Sequence, residues 1–212
     1  MRRAGPSAGA STGIVLLHGR GGSAADILSL MAHAALPDVA AIAPEAAGNS
    51  WWPTSFLAPS AQMEPFVTAA LAQLEAAIAT LQGEGIAPGR IWLAGFSQGA
   101  CLAAEAYARA GGHLAGLLVF SGGLVGTADA EGAENPALYG HRPKRFDYAG
   151  ARPGKVWLSV HERDPHIPLA RVQETAATLA RLGAQVETTV YPGAGHGVMR
   201  DDLVALRRLL AG

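Results

Sequence analysis

The sequence predicts an α/β fold in which helices cover both faces of a mostly parallel central sheet. Six short apolar runs, rich in leucine and β-branched residues and without clean alternation, are typical of strands buried on both faces. They span residues 14–17, 39–43, 91–94, 114–120, 156–160 and 186–191. Helical patterns separate most of these runs, and such alternation indicates parallel strands joined by right-handed crossovers.

Five segments have the composition and spacing of helices: residues 24–35, 61–81, 97–110, 169–182 and 201–210. In the second of them, apolar side chains recur at three- and four-residue spacing, which predicts a face packed on the sheet. This predicted face consists of Phe66, Ala70, Leu74, Ala77, Ile78 and Leu81. We expect one domain over residues 1–212, with residues 1–12 as a flexible N-terminus.

Two segments interrupt the alternation. Residues 44–59 are rich in Pro, Gly and Asn yet carry several large apolar side chains, and residues 127–153 form a long excursion with few apolar anchors. Long loops in compact α/β domains often contribute to function.

The composition limits the kinds of binding partner and the cellular compartment that we expect. A formal net charge of −1 gives no electrostatic reason to expect nucleic acid or stable association with an anionic membrane. The single cysteine, Cys101, fits a reducing compartment, and the first apolar run is too short for an export signal or a bilayer span. We therefore expect a cytoplasmic protein, and a homodimer is compatible with the sequence.

A glycine turn near the middle of the chain carries the strongest chemical signal. The run at 91–94 leads into Gly95-Phe96-Ser97-Gln98-Gly99, and an Ala-rich helical pattern follows at once. In this context G-x-S-x-G predicts a strained strand-to-helix turn that exposes a nucleophilic serine. Glycine is needed two residues before and two residues after Ser97 because the backbone crowds there.

A nucleophilic serine needs a base and an orienting carboxylate, and later turns offer both. Asp164 follows the run at 156–160, and His196 lies in a glycine-rich turn after the run at 186–191. The order Ser97, Asp164, His196 is the order in which α/β-hydrolases carry their catalytic triad. Glu162 is the nearest competitor for the acid.

Four sequence stretches, LHGRGG, GFSQGA, DPHIP and YPGAGHGV, together resemble the phospholipase/carboxylesterase family, which includes acyl-protein thioesterases. The resemblance runs from about residue 14 to residue 210. It implies an α/β-hydrolase fold without a large lid domain, with Ser97, Asp164 and His196 as the triad. It also implies an oxyanion hole formed by the backbone N–H groups of Arg20 and Gln98.

The chain departs from the family pattern at several points. Glu162 stands where glycine is usual, and LHGRGGS replaces the more usual H-G-x-G-D. About thirteen residues precede the first central strand, so we expect the N-terminal hairpin of the family to be shortened.

No cofactor or metal is expected. Residues 19–24 fit the dinucleotide fingerprint G-x-G-x-x-A, but no suitably spaced acid follows, and the hydrolase order of Ser97, Asp164 and His196 accounts better for this turn. As a metal pair, His161 and His166 lack a third ligand nearby.

The substrate pocket is predicted beside Ser97. Its apolar walls come from residues 44–59, called here the aromatic loop, and from the segment after the run at 114–120. Its candidate residues are Trp51, Trp52, Phe56, Leu57, Leu124 and Val125. Such walls favour carboxylic esters with short to medium acyl or aryl groups, and lysophospholipids and acyl-thioesters also fit.

Aromatic side chains in a Pro-rich loop could equally hold that loop on the core, so this alternative stays open. Two other functions also stay open: a dienelactone-type hydrolase of cyclic esters and a catalytically silent binding scaffold. The first is expected to carry a cysteine nucleophile where this chain has Ser97.

Overall fold

The structure, a computed structural model, describes residues 1–211 and contains one seven-stranded sheet. Its strands are β1 (Arg2–Ala4), β2 (Gly13–Leu17), β3 (Ala40–Ala43), β4 (Ile91–Phe96), β5 (Gly116–Phe120), β6 (Lys155–Arg163) and β7 (Gln185–Ala194). The order across the sheet is β1-β3-β2-β4-β5-β6-β7, and every pair except β1–β3 is parallel. The predicted mostly parallel sheet is therefore confirmed.

Helices cover both faces of the sheet, as predicted. They are α1 (Ala24–His33), α2 (Ser60–Gly83), α3 (Gln98–Ala110), α4 (Leu169–Arg181) and α5 (Arg200–Leu210). Alternate residues of one strand enter opposite layers: Ile14 and Leu16 pack with α1 and α5, whereas Val15 and Leu17 pack with α2, α3 and α4. The central strands are thus buried on both sides, which explains their unbroken apolar runs.

Helix α2 packs on the sheet through a face that the sequence predicted only in part. The buried positions are Met63, Val67, Ala70, Leu74, Ala77 and Leu81. Phe66, which we placed on this face, is 37% exposed, and Ile78 is partly buried at its border. The face therefore passes through Val67 rather than Phe66 in the first turns.

The N-terminal segment over residues 1–12, which we expected to be flexible, carries the first strand of the sheet. Strand β1 pairs with β3 in antiparallel register, Arg2 opposite Ala43, and the Arg3 guanidinium donates to Glu84 Oε1 at 2.7 Å. A strand of three residues is what remains here of the hairpin that we expected to be shortened.

The excursion at residues 127–153 is fastened to α3. The buried Arg152 guanidinium donates to the carbonyl oxygens of Tyr107, Ala108 and Arg109, and so caps the C-terminal end of that helix. The Tyr148 hydroxyl donates to the buried Glu105 carboxylate at 2.9 Å. This anchoring agrees with a fold that has no large lid.

None of the helices described in residues 1–211 combines the length and hydropathy that crossing a membrane requires.

Candidate active site

Ser97 sits at the turn between β4 and α3 with φ of +55°, in the left-handed region that costs energy for any residue but glycine. A Cβ on Gly95 would overlap the carbonyl of Gly99, and a Cβ on Gly99 would overlap the carbonyl of Leu17. Both flanking glycines are therefore required by space, as the sequence pattern predicted.

Ser97, His196 and Asp164 form one chain of hydrogen bonds. The Ser97 hydroxyl lies 2.9 Å from His196 Nε2, and His196 Nδ1 lies 2.8 Å from Asp164 Oδ2. An ionised carboxylate can only accept, so Nδ1 carries the proton and Nε2 is left to accept from the hydroxyl. Three side chains from three separate loops thus meet at the carboxyl edge of the parallel strands.

Asp164 is held as a carboxylate. Burial raises the pKa of its side chain, but the hydrogen bonds from His196 and from the amides of His166 and Ile167 outweigh burial, and the pKa lies below its ordinary value. These two amides donate to Oδ1 at 2.9 and 3.0 Å, which leaves Oδ2 for the imidazole.

Glu162, the competing acid, does not contact His196. Its side chain accepts from the Gly193 amide at 3.0 Å and lies at the surface. Glu162 therefore supports the loop that carries His196 from outside.

The His196 ring is packed on several sides. It lies against Phe96 with ring centroids 4.9 Å apart, and His166 meets it edge-on at 4.8 Å. Behind the loop, a Cβ on Gly195 would lie 2.6 Å from His161 Nε2, so this glycine lets the loop close over the buried His161 ring. His161 and His166 thus border the site without joining the hydrogen-bonded chain.

The loop containing Gly19 and Arg20 runs directly against the nucleophile. A Cβ on Gly19 would lie 3.2 Å from Ser97 Cβ. Among the described backbone hydrogen bonds of residues 1–211, neither the Arg20 nor the Gln98 amide donates to any acceptor. Gln98 is the first residue of α3, where helix amides have no internal partner. Both amides are therefore without an acceptor among the hydrogen bonds described for residues 1–211.

His18 supports this loop from beneath. Its Nδ1 donates to the Gly19 carbonyl at 2.8 Å, and its Nε2 accepts from the Ala46 amide at 3.1 Å. The neutral imidazole thereby ties β2 to the loop that follows β3.

Gln98 and Arg20 also act through their side chains, which the sequence did not reveal. Gln98 accepts from the Trp51 amide at 2.9 Å and donates to the Trp52 carbonyl at 2.8 Å. The Arg20 guanidinium donates to the carbonyls of Pro53 and Thr54. Arg20 and Gln98 therefore hold the aromatic loop in place through their side chains. A polar residue at the start of a buried helix was the only sequence signal for Gln98.

A second unforeseen contact reaches the acid loop from the excursion: the Tyr139 hydroxyl donates to the backbone carbonyl of Asp164. Tyr139 lies in a segment without periodicity, so no pattern in the sequence pointed to it.

A cleft of about 300 Å³ opens beside the nucleophile and is called here the Ser97 cleft. It is lined by Arg20, residues 52–56, Ser97, Gln98, Cys101, His166 and Ile167. Burial raises the pKa of the Cys101 thiol to about 12, so the thiol in this cleft stays protonated at neutral pH.

The predicted pocket residues divide into two groups. All six residues are buried, but only Trp52 and Phe56 line the Ser97 cleft, whereas Trp51, Leu57, Leu124 and Val125 do not. Trp51 instead packs on His18 and donates from Nε1 to the His18 carbonyl at 2.9 Å. The other three residues of this group likewise pack in the core beneath the loops that border the cleft.

Within residues 1–211, no three His, Cys, Asp or Glu side chains come together as a metal site.

Sequence comparison places the chain among known proteins. A family model described as Phospholipase/Carboxylesterase matches residues 4–138. Acyl-protein thioesterase 1 of Gibberella zeae is 30% identical over 119 residues, which are 56% of this chain and 46% of that protein. The matched part of the chain thus corresponds to about half the length of this relative.

Solved structures extend the likeness over the whole chain. The crystal structure of a phospholipase/carboxylesterase from Dyadobacter fermentans has 35% sequence identity and a TM-score of 0.84, covering 100% of this chain and 95% of that one. Esterase PE8 has 24% identity and a TM-score of 0.73, covering 100% and 99% of the two chains, and shows a shared fold.

Proposed function

Because the chain belongs to the phospholipase/carboxylesterase family, we propose that it is a serine hydrolase that cleaves carboxylic esters through an acyl-enzyme on Ser97. The observation that carries the proposal is the hydrogen-bonded chain from the Ser97 hydroxyl through His196 to Asp164. This arrangement suits nucleophilic attack assisted by a general base.

In the proposed reaction, His196 Nε2 takes the hydroxyl proton while Ser97 Oγ bonds to the ester carbonyl carbon. Asp164 holds the tautomer that leaves Nε2 unprotonated, and its negative charge stabilises the imidazolium that forms. His196 then gives the proton to the leaving alcohol as the ester C–O bond breaks. A water molecule cleaves the acyl-enzyme by the same steps in reverse order.

The tetrahedral intermediate places negative charge on the former carbonyl oxygen. The free amides of Arg20 and Gln98 are the proposed donors, and one such donor lowers the barrier by about 3–4 kcal/mol. Their loops are braced by His18 and by the Arg20 and Gln98 side chains, so the donors stand in place before the substrate binds.

The size of the Ser97 cleft supports esters with short to medium acyl or aryl groups. Trp52 and Phe56 offer apolar contact to such groups. Lysophospholipids and acyl-thioesters share the reacting carbonyl and belong in the same substrate panel.

The first experiment labels the folded protein with a fluorophosphonate and identifies the modified residue. We expect the label on Ser97 and none in Ser97→Ala. Folded wild-type protein that resists the label and hydrolyses no ester would instead indicate a silent binding scaffold.

Two variants, one at each candidate carboxylate, then test which residue is the acid that orients His196. Asp164→Asn is expected to lower kcat by about 10⁴-fold because the imidazole loses its orienting partner. Glu162→Gln is the matched control, since it retains an oxygen for the Gly193 amide and should keep near wild-type activity on p-nitrophenyl esters. Equal losses in the two variants would contradict the assignment.

A further inference from the structure

In the described part of the chain, the Ser97 cleft carries basic side chains but no carboxylate. Arg20 and His166 line it, and no Asp or Glu does so among the residues described, 1–211. Asp164 is close by, but its side chain is fully buried and already paired with His196. The cleft therefore combines basic groups with the apolar walls of Trp52 and Phe56.

Arg20 differs in its partners from the arginines of the molecule that form ion pairs. Six others pair with carboxylates: Arg2, Arg3, Arg109, Arg145, Arg171 and Arg208. Arg20 instead donates to the backbone carbonyls of Pro53 and Thr54, and within residues 1–211 no carboxylate pairs with it. Its position is thus fixed while its charge is not neutralised.

A guanidinium in this state is suited to bind an anion. It has five N–H groups, of which two are used by the loop carbonyls, so others remain for a ligand. Because the side chain is already immobilised, an anion pays little additional ordering entropy to bind it. The Arg20 side chain is exposed, so water screens part of this attraction.

His166 offers a second polar contact. Its amide is bound to Asp164 Oδ1 at 2.9 Å and its ring meets His196 edge-on, so the imidazole is placed at the cleft and remains exposed. The His166 ring thus supplies a second hydrogen-bonding group in the same cleft as Arg20.

We propose that the Ser97 cleft selects esters that carry an anionic group, such as a carboxylate, on the part of the substrate entering the cleft, with Arg20 as its principal partner. This proposal rests on the proposed esterase function and names a substrate class for it. Arg20 is then a specificity-determining residue through its side chain, in addition to the role proposed for its amide.

The test uses pairs of esters that differ only in a carboxylate or the neutral carboxamide. Monoethyl succinate and ethyl succinamate place this group on the acyl side, whereas acetoxyacetate and acetoxyacetamide place it on the alcohol side. Released acid is measured by chromatography, and the readout is the ratio of kcat/KM within each pair. The ratio cancels any general damage that a variant causes to the oxyanion loop.

We expect the wild type to prefer the carboxylate in at least one pair, by about threefold or more. Arg20→Gln should bring that ratio close to one, whereas Arg20→Lys should keep part of it because the positive charge remains. As a measurement independent of variants, the wild-type ratio should fall as NaCl rises from about 0.02 to 0.5 M, since salt screens the attraction.

The outcomes separate this proposal from the proposed function. Hydrolysis of both members at equal rates, or faster cleavage of the carboxamide in both pairs, would overturn the anionic selectivity and leave the esterase intact. A preference that is unchanged in Arg20→Gln would overturn the role of Arg20. Absence of hydrolysis together with absence of fluorophosphonate labelling would overturn the esterase itself.

Discussion

Ser97 holds a backbone conformation that its own side chain disfavours. With φ of +55°, a residue with a Cβ is strained, and the turn retains the strain because β4 and α3 are both buried around it. Strain of this kind keeps the hydroxyl raised above the strand ends, where His196 reaches it.

Ser97→Gly is therefore expected to stabilise the fold by about 1 kcal/mol while abolishing ester hydrolysis. The free energy of unfolding in urea measures the gain. Ser97→Ala is the matched control, because it also removes the hydroxyl but keeps the Cβ and its strain. Identical unfolding curves for the two variants would show that the turn stores no strain at this residue.

The pH dependence follows from the different states of the two partners. His196 can accept a proton only when its imidazole is neutral, whereas the lowered pKa of Asp164 keeps that carboxylate charged in acid. Log kcat/KM should thus fall in acid toward a limiting slope of one, because protonation of His196 removes the base and Asp164 adds no second proton.

Asp164 also makes the free energy of unfolding depend on pH. Because its folded pKa lies below the ordinary value of about 4, the stability that it contributes is complete above that value and is lost only as pH falls through the folded pKa. Unfolding measured at each pH separates this loss from the loss of activity. A slope of two in log kcat/KM above pH 5, or an activity that does not change with pH, would contradict the roles of His196 and Asp164.

At the scale of the elements, the turn at Ser97 could be predicted because its requirements are local. Gly95 and Gly99 are spaced for a turn whose backbone leaves no room for a Cβ, and the strand and helix on either side were visible as patterns. The side-chain positions in the aromatic loop could not be predicted in this way. An irregular loop has no period, so nothing in the sequence distinguished Trp52, which faces the cleft, from its neighbour Trp51, which packs on His18.

Arg152 anchors the excursion at residues 127–153 to α3, so its replacement should lower the free energy of unfolding. Arg152→Leu would leave the last carbonyls of α3 without donors, which we expect to destabilise the fold by about 2–4 kcal/mol. Arg145→Leu on the same excursion is the control, because its side chain is 90% exposed and pairs only with Asp147 at 3.6 Å. It should change stability by less than about 0.5 kcal/mol. Similar melting temperatures for the two variants would refute the anchoring role.

At the scale of the whole molecule, the fold could be predicted because the central strands are buried on both faces and therefore appear in the sequence as unbroken apolar runs. The three residues of the hydrogen-bonded chain could be predicted from their order along the sequence, since parallel strands bring their carboxyl ends to one edge. Strand β1 could not be predicted. Its three residues carry no apolar pattern, and they become a strand only because β3 offers them an open edge.

Removal of residues 1–4 should for this reason affect stability slightly and activity not at all. The deletion loses three residue pairs with β3 and the ion pairs Arg2–Glu45 and Arg3–Glu84, none of which includes a residue of the Ser97, His196 and Asp164 chain. We expect a melting temperature lower by about 2–4 °C and unchanged kcat on p-nitrophenyl esters. Arg3→Gln isolates the Arg3–Glu84 ion pair from the strand. A large loss of activity in the truncated protein would mean that the sheet edge communicates with the nucleophile.

The wall that Trp52 contributes to the Ser97 cleft gives the molecule an optical reporter of its own. Trp92 and Trp157 lie in the apolar layer on the opposite face of the sheet, and Trp51 is pinned by its bond to His18, so their emission should form a steady background. An acyl group that fills the cleft changes the surroundings of the Trp52 indole, which lines this cleft although it is only 1% exposed. Stopped-flow fluorescence can thus follow the acyl-enzyme as it forms and decays, without any chromogenic leaving group.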